Sequence, residues 1–186
     1  MSNAIRITAK RAPEGYDLGA SKFFGTPTVP LEWDGDFSED EIFFCQIRLA
    51  DIAALDKENR LPHTGYLYIF LDTEEGDYRL KADVRYSAEE PRLAIDGFNT
   101  AVEGYERYDA AHLMEFSECE EEEICTKLFG IPCDWNYVDR PPKLLMQFDP
   151  MDNDTGFLDL LDGFVYFFFG KDQRDFGGIT LHEEYS

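Results

Sequence analysis

One stretch of this chain is repeated, and the second copy keeps the order and almost the spacing of the first. A Ser-Lys-Phe-Phe-Gly-Thr-Pro segment returns as Thr-Lys-Leu-Phe-Gly-Ile-Pro, and in both copies a Gln-bearing apolar run and a Gly-led aromatic run follow. Self-similarity of this kind indicates a repeated structural unit. The matching segments, first copy before second, are 21–27 and 126–132, 43–47 and 144–148, 65–70 and 163–168, and 77–78 and 175–176.

The length of the chain limits how the two copies are arranged. With 186 residues the chain has about the usual size of one domain, so we expect a single domain over 1–186. Repeat one covers about 21–86, a linker with helices about 87–125, and repeat two about 126–185. We expect an α+β fold of two β-rich halves, built mostly of antiparallel strands with a few short helices and related by a pseudo-twofold axis.

Both copies carry strand patterns. Strands buried on both faces are predicted for the apolar and aromatic runs 42–47, 66–71, 144–148 and 164–169. Segment 78–86 alternates apolar and charged residues, which predicts a strand with one solvent-exposed face. Segment 178–185 is the counterpart in the second copy and shows the same alternation less clearly. Both copies therefore favour a sheet over helices.

Helical signals are fewer. A three-residue recurrence after the first Gln-bearing run predicts a short helix through Leu49, Ile52 and Leu55. Ser117 begins a capping-box pattern, which predicts a helix from Ser117 that ends at Gly130. A second short helix is expected within 109–116, and the first dozen residues are candidates for mobility.

The charge of the chain restricts its partners. Its 39 acidic residues against 17 basic ones give a formal net charge of −22, and such a field repels phosphate backbones and anionic membrane surfaces. We therefore expect neither a nucleic-acid nor a membrane partner. The acidic runs 34–41, 115–123 and 149–162 are either solvated surface or a docking face for a basic protein. The candidate partner-binding residues are Glu120, Glu121, Glu122 and Glu123.

Hydropathy and cysteine content indicate the compartment. No run approaches the roughly 20 apolar residues that cross a bilayer, and no apolar segment behind the first basic residues indicates a secretory signal. We expect a cytoplasmic protein. Its cysteines should then be reduced thiols: Cys45, Cys119, Cys125 and Cys133.

The sequence contains few signs of catalysis. The histidines, His63, His112 and His182, stand in no recognisable relation to a nucleophile. The sequence also contains no P-loop, Gly-x-Ser-x-Gly or Gly-x-Gly-x-x-Gly motif. We expect no catalytic residue and no cofactor.

Two segments resemble metal sites only superficially. The set His112, Cys119, Cys125 and Cys133 offers ligands that suit zinc, but it lacks the short spacing that holds two ligands on one turn. Segment 149–156 is rich in carboxylates, but it fails as an EF-hand because Met151 falls where the first carboxylate should be. We expect a turn held by Asx hydrogen bonds in 149–156 and no metal site.

Gln46 and Gln147 are polar residues in the middle of apolar strands. An unpaired buried amide costs roughly 1–3 kcal/mol, so something must satisfy each side chain. In one interpretation each Gln holds the backbone of a neighbouring loop. In the other, the pair lines a ligand-binding cleft on the pseudo-twofold axis, together with Tyr68 and Tyr166.

At these residues the chain resembles the YwqG-like family of uncharacterised, mainly bacterial proteins. The segments that carry the resemblance are 21–27, 46–49, 61–62, 65–70, 128–132, 144–149, 162–167 and 175–176. Phe24 departs from the family pattern, which has a Gly-Gly pair at 24–25. The resemblance implies an α+β fold of two similar β-rich halves. It implies no activity, since none is established for the family.

Three functions remain open from the sequence. The first is a non-catalytic cytosolic protein-binding module whose acidic face holds a basic partner, such as an inhibitor or immunity protein for a cationic toxin. The alternative is an enzyme or small-ligand-binding protein that uses the cleft between the two repeats. The third is a structural or regulatory subunit. The sequence leaves the oligomeric state open.

Overall fold

The protein is described from a computed structural model, which covers residues 4–72, 80–133, 141–156 and 163–185. Within these ranges it is a mostly antiparallel β-structure with a few short helices. The strands are β1 Ala4–Arg11, β2 Lys22–Phe23, β3 Thr28–Val29, β4 Glu41–Arg48, β5 Tyr66–Asp72, β6 Lys81–Ser87, β7 Leu93–Ala94, β8 His112–Cys119, β9 Lys127–Leu128, β10 Leu144–Phe148, β11 Gly163–Phe168 and β12 Thr180–Tyr185.

Within the described ranges, helical structure is limited to single turns. The α-helix α1 spans Leu49–Ile52, where the spacing of Leu49 and Ile52 predicts it, and both side chains are buried. The described 3-10 helices are Leu31–Trp33, Phe98–Ala101, Glu106–Asp109, Asn153–Thr155 and Phe176–Gly178. Among the residues that the structure covers, no helix is long and apolar enough to cross a membrane.

Ten strands form one sheet in the order β12-β11-β10-β9-β1-β8-β2-β4-β5-β6, and β3 pairs with β7 in a small second sheet. Each pairing is antiparallel. The large sheet curls until its two edge strands approach each other, so that the Leu80 amide donates to a Glu183 carboxylate oxygen at 3.4 Å. The sheet is therefore nearly closed.

The core lies on the concave side of this sheet. Aromatic rings from β2, β4, β10 and β11 meet there, and Phe44 contacts the rings of Phe23, Phe148 and Phe167 at centroid distances of 5.2–5.4 Å. The outer faces of β5 and β11 are also apolar and covered, which explains why their sequences do not alternate.

The predicted helix from Ser117 is wrong. Residues 112–119 form β8, which pairs with β1 on one side and with β2 on the other. Ser117 lies opposite Arg6 in the β1 pairing. The capping-box pattern is a local signal, and here the long-range pairing of β8 outweighs it. The short helix expected within 109–116 is also wrong, because a 3-10 turn ends at Asp109 and β8 begins at His112.

The first dozen residues are candidates for mobility from the sequence, and this expectation is wrong for those that the structure describes, from residue 4 onward. Strand β1 lies in the interior of the sheet, between β8 and β9, and Ile5 and Ile7 are fully buried in the core. Its segment has no counterpart in the sequence repeat, so the repeat could not reveal its place. Together with β8 it joins the strands of the two predicted halves into one sheet.

The two strands at the edges of the large sheet agree with the predicted strands where the structure describes them. Strand β6 begins at Lys81, within the predicted segment 78–86, and β12 matches the predicted segment 178–185. Residues 73–79 and 157–162 lie outside the described residues, and with them the match at Asp77-Tyr78 and the Asp162 position of the family pattern.

Candidate functional site

The two Gln-bearing strands sit in the same local frame. In the first, Lys22 of β2 lies opposite Gln46 of β4; in the second, Lys127 of β9 lies opposite Gln147 of β10. Each Gln-bearing strand has a register irregularity just before its Gln, between Phe43 and Cys45 and between Leu144 and Met146. We call these regions the first and the second Lys-Gln frame.

The same turn follows the lysine in both frames. Phe24 and Phe129 have φ values of 54° and 64°, and Gly25 and Gly130 follow at 75° and 80°. The amides of Phe24 and Phe129 then donate to equivalent carbonyls, those of Phe44 and Leu145, at 2.9 and 3.1 Å. Two successive residues in left-handed backbone explain why each copy keeps a glycine at the second position.

Gln46 is fully buried, and its amide is satisfied by backbone. Its Nε2 donates to the carbonyls of Leu18 and Ala20, both at 3.0 Å, and its Oε1 accepts from the Thr28 amide at 3.0 Å. Gln147 does the same in the second frame: its Nε2 donates to the Cys125 carbonyl at 2.8 Å and its Oε1 accepts from the Cys133 amide at 3.0 Å. The expectation that each Gln holds the backbone of a loop is confirmed.

Tyr68 and Tyr166 are also fully buried. The Tyr68 hydroxyl donates to the Thr28 carbonyl at 3.0 Å, and the Tyr166 hydroxyl lies 3.0 Å from the Cys133 sulfur. Burial raises the pKa of Tyr68. These two tyrosines and the two glutamines therefore point into packed loops, and they line none of the described cavities.

Sequence reasoning missed the two lysines. Lys22 and Lys127 are fully buried. The Lys127 ammonium donates to the carbonyls of Glu121, Glu123 and Ile131 at 2.6–2.9 Å. The Lys22 ammonium donates to the Leu18 carbonyl at 2.6 Å and lies 5.2 Å from the centre of the Tyr16 ring. A signal was present: each copy places a Lys next to an apolar residue at the same distance from its glycine.

Burial lowers the pKa of both ammonium groups, because the charged form loses hydration. The pKa of Lys22 falls to about 8, and the nearby Asp17 carboxylate opposes this shift. The pKa of Lys127 is also lowered by burial. These lysines stabilise loops, and their burial keeps them away from solutes.

A groove lies between the turn after α1 and the strands of the second frame. It has a volume of about 440 Å³, and its lining includes Arg60, Lys143 and Arg174 beside Glu58 and Glu121. The Arg60 guanidinium donates to Glu58 and lies over the Phe129 ring, whereas Lys143 and Arg174 are exposed. We call it the basic groove, because three cations meet there in a strongly acidic chain.

The acidic segment 120–123 forms the loop between β8 and β9. Glu120 and Glu122 are exposed, whereas Glu121 is partly buried at the edge of the basic groove. The Glu123 carboxylate pairs with Arg6. Only part of this segment is therefore available to a partner.

Arg6 joins this loop to a second acidic loop, 149–156. Its guanidinium pairs with Glu123 on one side and with Asp154 on the other, and the Thr126 amide donates to Asp152 at 2.7 Å. Two acidic runs that are distant in sequence thus meet on one surface. Large apolar side chains protrude from both loops, since Ile124 is 65% and Met151 67% exposed.

Loop 149–156 is held by the Asx hydrogen bonds that the sequence predicts. Asp149 accepts from the Met151 amide and Asp152 accepts from the Asp154 amide, both at 2.9 Å. The Asp154 carboxylate forms a salt bridge with Arg6. These carboxylates therefore organise the loop and its contact with Arg6.

The three histidines have separate surroundings. His63 faces the buried Asp56 carboxylate at 3.7 Å, the His112 ring lies 3.0 Å from the Ala110 carbonyl, and the His182 ring lies beside Tyr166. Burial lowers the pKa of His112. These contacts orient the imidazoles within the fold, and we assign none of them a catalytic role.

The cysteine and histidine set named from the sequence is not brought together. His112 and Cys119 are at opposite ends of β8, and Cys133 lies beside Tyr166. Cys119 and Cys125 do meet, with a Glu123 carboxylate oxygen, and the three atoms lie within 4.8 Å of one another. Cys45 is isolated in the apolar core, where burial raises the pKa of its thiol.

No protein-family model matches this chain, and the comparison with curated proteins also gave no match.

Proposed function

We propose that this protein is a non-catalytic binding module that holds a basic partner protein on its acidic surface. The observation that carries the proposal is the meeting of two acidic loops at Arg6, with Ile124 and Met151 protruding among the carboxylates. Exposed apolar residues inside a charged rim are typical of protein interfaces. We call the surface formed by Glu120, Glu122, Ile124, Met151 and Asp152 the acidic face.

Charge supports a basic protein as the partner in preference to a nucleic acid or a membrane. A net charge of −22 repels phosphate groups and steers cationic proteins toward the surface. An inhibitor or immunity protein for a cationic toxin fits this description. The cytoplasm is the compartment that we propose, since the four free thiols suit a reducing environment.

We also propose that the chain arose by internal duplication, with its halves related by a pseudo-twofold axis, as in the YwqG-like family that the sequence resembles. The support comes from the two Lys-Gln frames. They share strand register, the turn at Phe24 and Phe129, and the loop-binding role of the glutamine. Superposition of the two frames should bring β4 onto β10 and β5 onto β11; unrelated orientations of these pairs would contradict the duplication.

The binding proposal is tested with a charge-neutral variant of the acidic face. Glu120→Gln combined with Glu122→Gln removes two exposed carboxylates and leaves the Arg6 pair intact. The protein is immobilised, native lysate is passed over it, and the association rate of each captured protein is measured as salt is raised. We expect basic proteins, an association rate that falls with salt, and slower association with the double variant.

The matched control is Asp34→Asn combined with Asp36→Asn, which removes the same charge from another exposed loop. It should change the association rate far less. Ile124→Ser should instead speed dissociation, because it removes an apolar contact. The proposal would be refuted by an association rate that changes neither with salt nor in the Glu120→Gln/Glu122→Gln variant, together with a dissociation rate that Ile124→Ser leaves unchanged.

A second candidate function is anion binding in the basic groove. The specific observation is the gathering of Arg60, Lys143 and Arg174 around one cavity that both predicted repeats line. Guanidinium and ammonium groups suit carboxylate and phosphate ligands. This candidate replaces the cleft built on Gln46, Gln147, Tyr68 and Tyr166, whose side chains are buried.

Calorimetric titration with inorganic phosphate and with citrate at low chloride tests this candidate. We expect Arg174→Ala to weaken binding by about tenfold, which corresponds to about 1.4 kcal/mol. Lys171→Ala is the control, since it removes one exposed cation that does not line the groove. Equal losses in the two variants would indicate a general charge effect and refute a site in the groove.

A further inference from the structure

Two of the four cysteines form a close pair. Cys119 is the last residue of β8, where it lies opposite Ala4 of β1, and Cys125 follows after the loop 120–124. Their sulfur atoms lie within 4.8 Å of each other, and both side chains pack against Ala4. Cys125 is fully buried, whereas Cys119 keeps 8% of its surface exposed. The pair is thus within reach of a small solute from the Cys119 side.

Two cations flank the pair. The guanidinium of Arg6, which pairs with Glu123 and Asp154, lies close enough to Cys125 for its positive charge to act on that thiol. The ammonium of Lys127 is fixed nearby by the Glu121, Glu123 and Ile131 carbonyls. Fixed positive charge next to a thiol favours the thiolate, which is the reactive form of cysteine.

The two thiols have different roles in this environment. The neighbouring Cys119 thiol and the charge of Arg6 lower the pKa of Cys125, whereas the proximity of Cys125 raises the pKa of Cys119. We take Cys125, which lies beside Arg6 and Lys127, as the thiol that is oxidised first. Cys119 is the thiol that then forms the disulfide, and a small peroxide reaches Cys125 past Cys119, on the side where the pair is exposed. Cys45 lies alone in the apolar core and has no such partner.

A metal ion fits this place less well than a redox reaction. Cys119, Glu123 and Cys125 are ligand types that zinc accepts. However, the Glu123 carboxylate is already paired with Arg6, and a divalent cation would sit beside a guanidinium and an ammonium. These two cations therefore disfavour a further positive ion at this place.

We propose that Cys119 and Cys125 are a site of reversible thiol oxidation, with a hydroperoxide as the oxidant and a low-molecular-weight thiol as the reductant. The Cys125 thiolate attacks the peroxide: a sulfur–oxygen bond forms, the oxygen–oxygen bond breaks, and the leaving hydroxide takes a proton to become water. Sulfur is oxidised to a sulfenic acid and the peroxide is reduced.

In the second step the Cys119 sulfur attacks the Cys125 sulfenic acid. The disulfide bond forms, the sulfur–oxygen bond breaks, and the hydroxyl leaves as water with the Cys119 proton. Two equivalents of external thiol reverse the reaction by exchange and release the oxidised external disulfide. The bond closes a ring around the loop 120–124.

The experiment exposes the reduced full-length protein to hydrogen peroxide and counts free thiols under denaturing conditions. We expect the four free cysteines to become two, with a mass loss of two hydrogen atoms that dithiothreitol reverses. Peptide mapping of the wild-type protein should locate the bond between Cys119 and Cys125. This readout needs no variant, so it does not depend on the folding of a mutant.

Two variants then separate the steps. In Cys119→Ser the sulfenic acid at Cys125 should persist and react with dimedone, whereas Cys125→Ser should abolish the reaction. Cys133→Ser is the matched control and should leave the disulfide unchanged. Four free thiols after peroxide treatment, or a bond that involves Cys133, would overturn the proposal. So would stoichiometric zinc that is lost in Cys125→Ser, because the pair would then be a metal site.

Discussion

Lys22 and Lys127 occupy the same position in the two Lys-Gln frames, but their ammonium groups have different surroundings. Lys127 has three backbone carbonyls within 2.9 Å, all supplied by the residues just before and after β9. Lys22 has one carbonyl and the face of an aromatic ring. The strand frame is the same in both places, whereas the loops before and after the short strand differ.

The comparison shows which part of the frame is invariant. In both glutamines, Nε2 donates to a carbonyl of the loop before the short strand and Oε1 accepts from an amide of the loop after it, although the loops differ in sequence. The lysine ammonium binds different carbonyls in the two frames, because its long side chain and three rotatable donors allow it to reach different positions. The glutamine and the turn define the frame, and the lysine stabilises the local loop.

The largest effect is expected at the turn glycines. A Cβ at Gly25 would lie 2.6 Å from the Ala111 Cβ, and one at Gly130 would lie 2.7 Å from the Glu121 carbonyl oxygen, both in left-handed backbone. Each Gly→Ala change should lower the free energy of unfolding by about 4 kcal/mol, from overlap together with strain. Urea unfolding measures this.

Gly35→Ala is the control for this pair. Gly35 has a φ of 80° and no atom within 4 Å of its added Cβ, so only the backbone strain remains. It should cost about 1 kcal/mol. A cost at Gly25 or Gly130 no larger than that of Gly35 would show that the turn is not tightly packed in that frame.

The lysines should differ in the next test. Lys127→Met removes three charge-assisted hydrogen bonds to partly buried carbonyls, of which, among the described residues, only that of Glu121 keeps another backbone donor, the Ile131 amide. We expect the protein to lose about 3 kcal/mol of stability, after allowing for the free energy that is regained when a charge is no longer buried. Lys22→Met should change stability by less than about 1 kcal/mol, because the Leu18 carbonyl keeps its donors Gln46 and Thr28. Chemical denaturation of both variants checks the order, and equal losses would contradict the difference between the frames.

The glutamines, by contrast, should behave alike. Gln46→Leu takes away the acceptor of the Thr28 amide and the donor of the Ala20 carbonyl, and Gln147→Leu does the same to the Cys133 amide and the Cys125 carbonyl. We expect each to cost about 2 kcal/mol. Thermal unfolding of the two variants side by side is the measurement. A clearly smaller cost in one frame would mean that its loop is held by other contacts.

The smallest effect is a pH dependence specific to the first frame. Burial lowers the pKa of Lys22 to about 8, below the value near 10.4 of an unfolded lysine. Between these values the unfolded state binds more protons, so the contribution of Lys22 to stability increases as pH rises. From pH 8 to pH 9 the wild type should gain about 1 kcal/mol relative to Lys22→Met. Parallel stability curves for the two proteins would exclude this shift.

Much of the strand content was predictable from the sequence. The apolar runs around Gln46 and Gln147 have the length and composition of buried strands, and a buried amide requires backbone partners, which the structure supplies. The short helix at Leu49 also follows from local spacing. These features depend on residues that are near one another in the chain.

The errors occur where partners are distant in sequence. Ser117 belongs to a strand because β1 and β2 flank it, and nothing local to Ser117 reveals them. The burial of Lys22 and Lys127 depends on loops whose carbonyls converge only after folding. The basic groove likewise collects Arg60, Lys143 and Arg174 from separate segments.

The position of β1 has a consequence for the order of folding during synthesis. Strand β1 is made before its neighbours β8 and β9, which follow roughly a hundred residues later in the chain. Strands β4, β5 and β6 pair in sequence order and need no later residue. On the ribosome the strands β4, β5 and β6 can therefore pair before the neighbours of β1 have been synthesised. The strands of the two predicted halves are joined only when β8 and β9 have emerged, so β1, although made before the strands of the first frame, is paired after them.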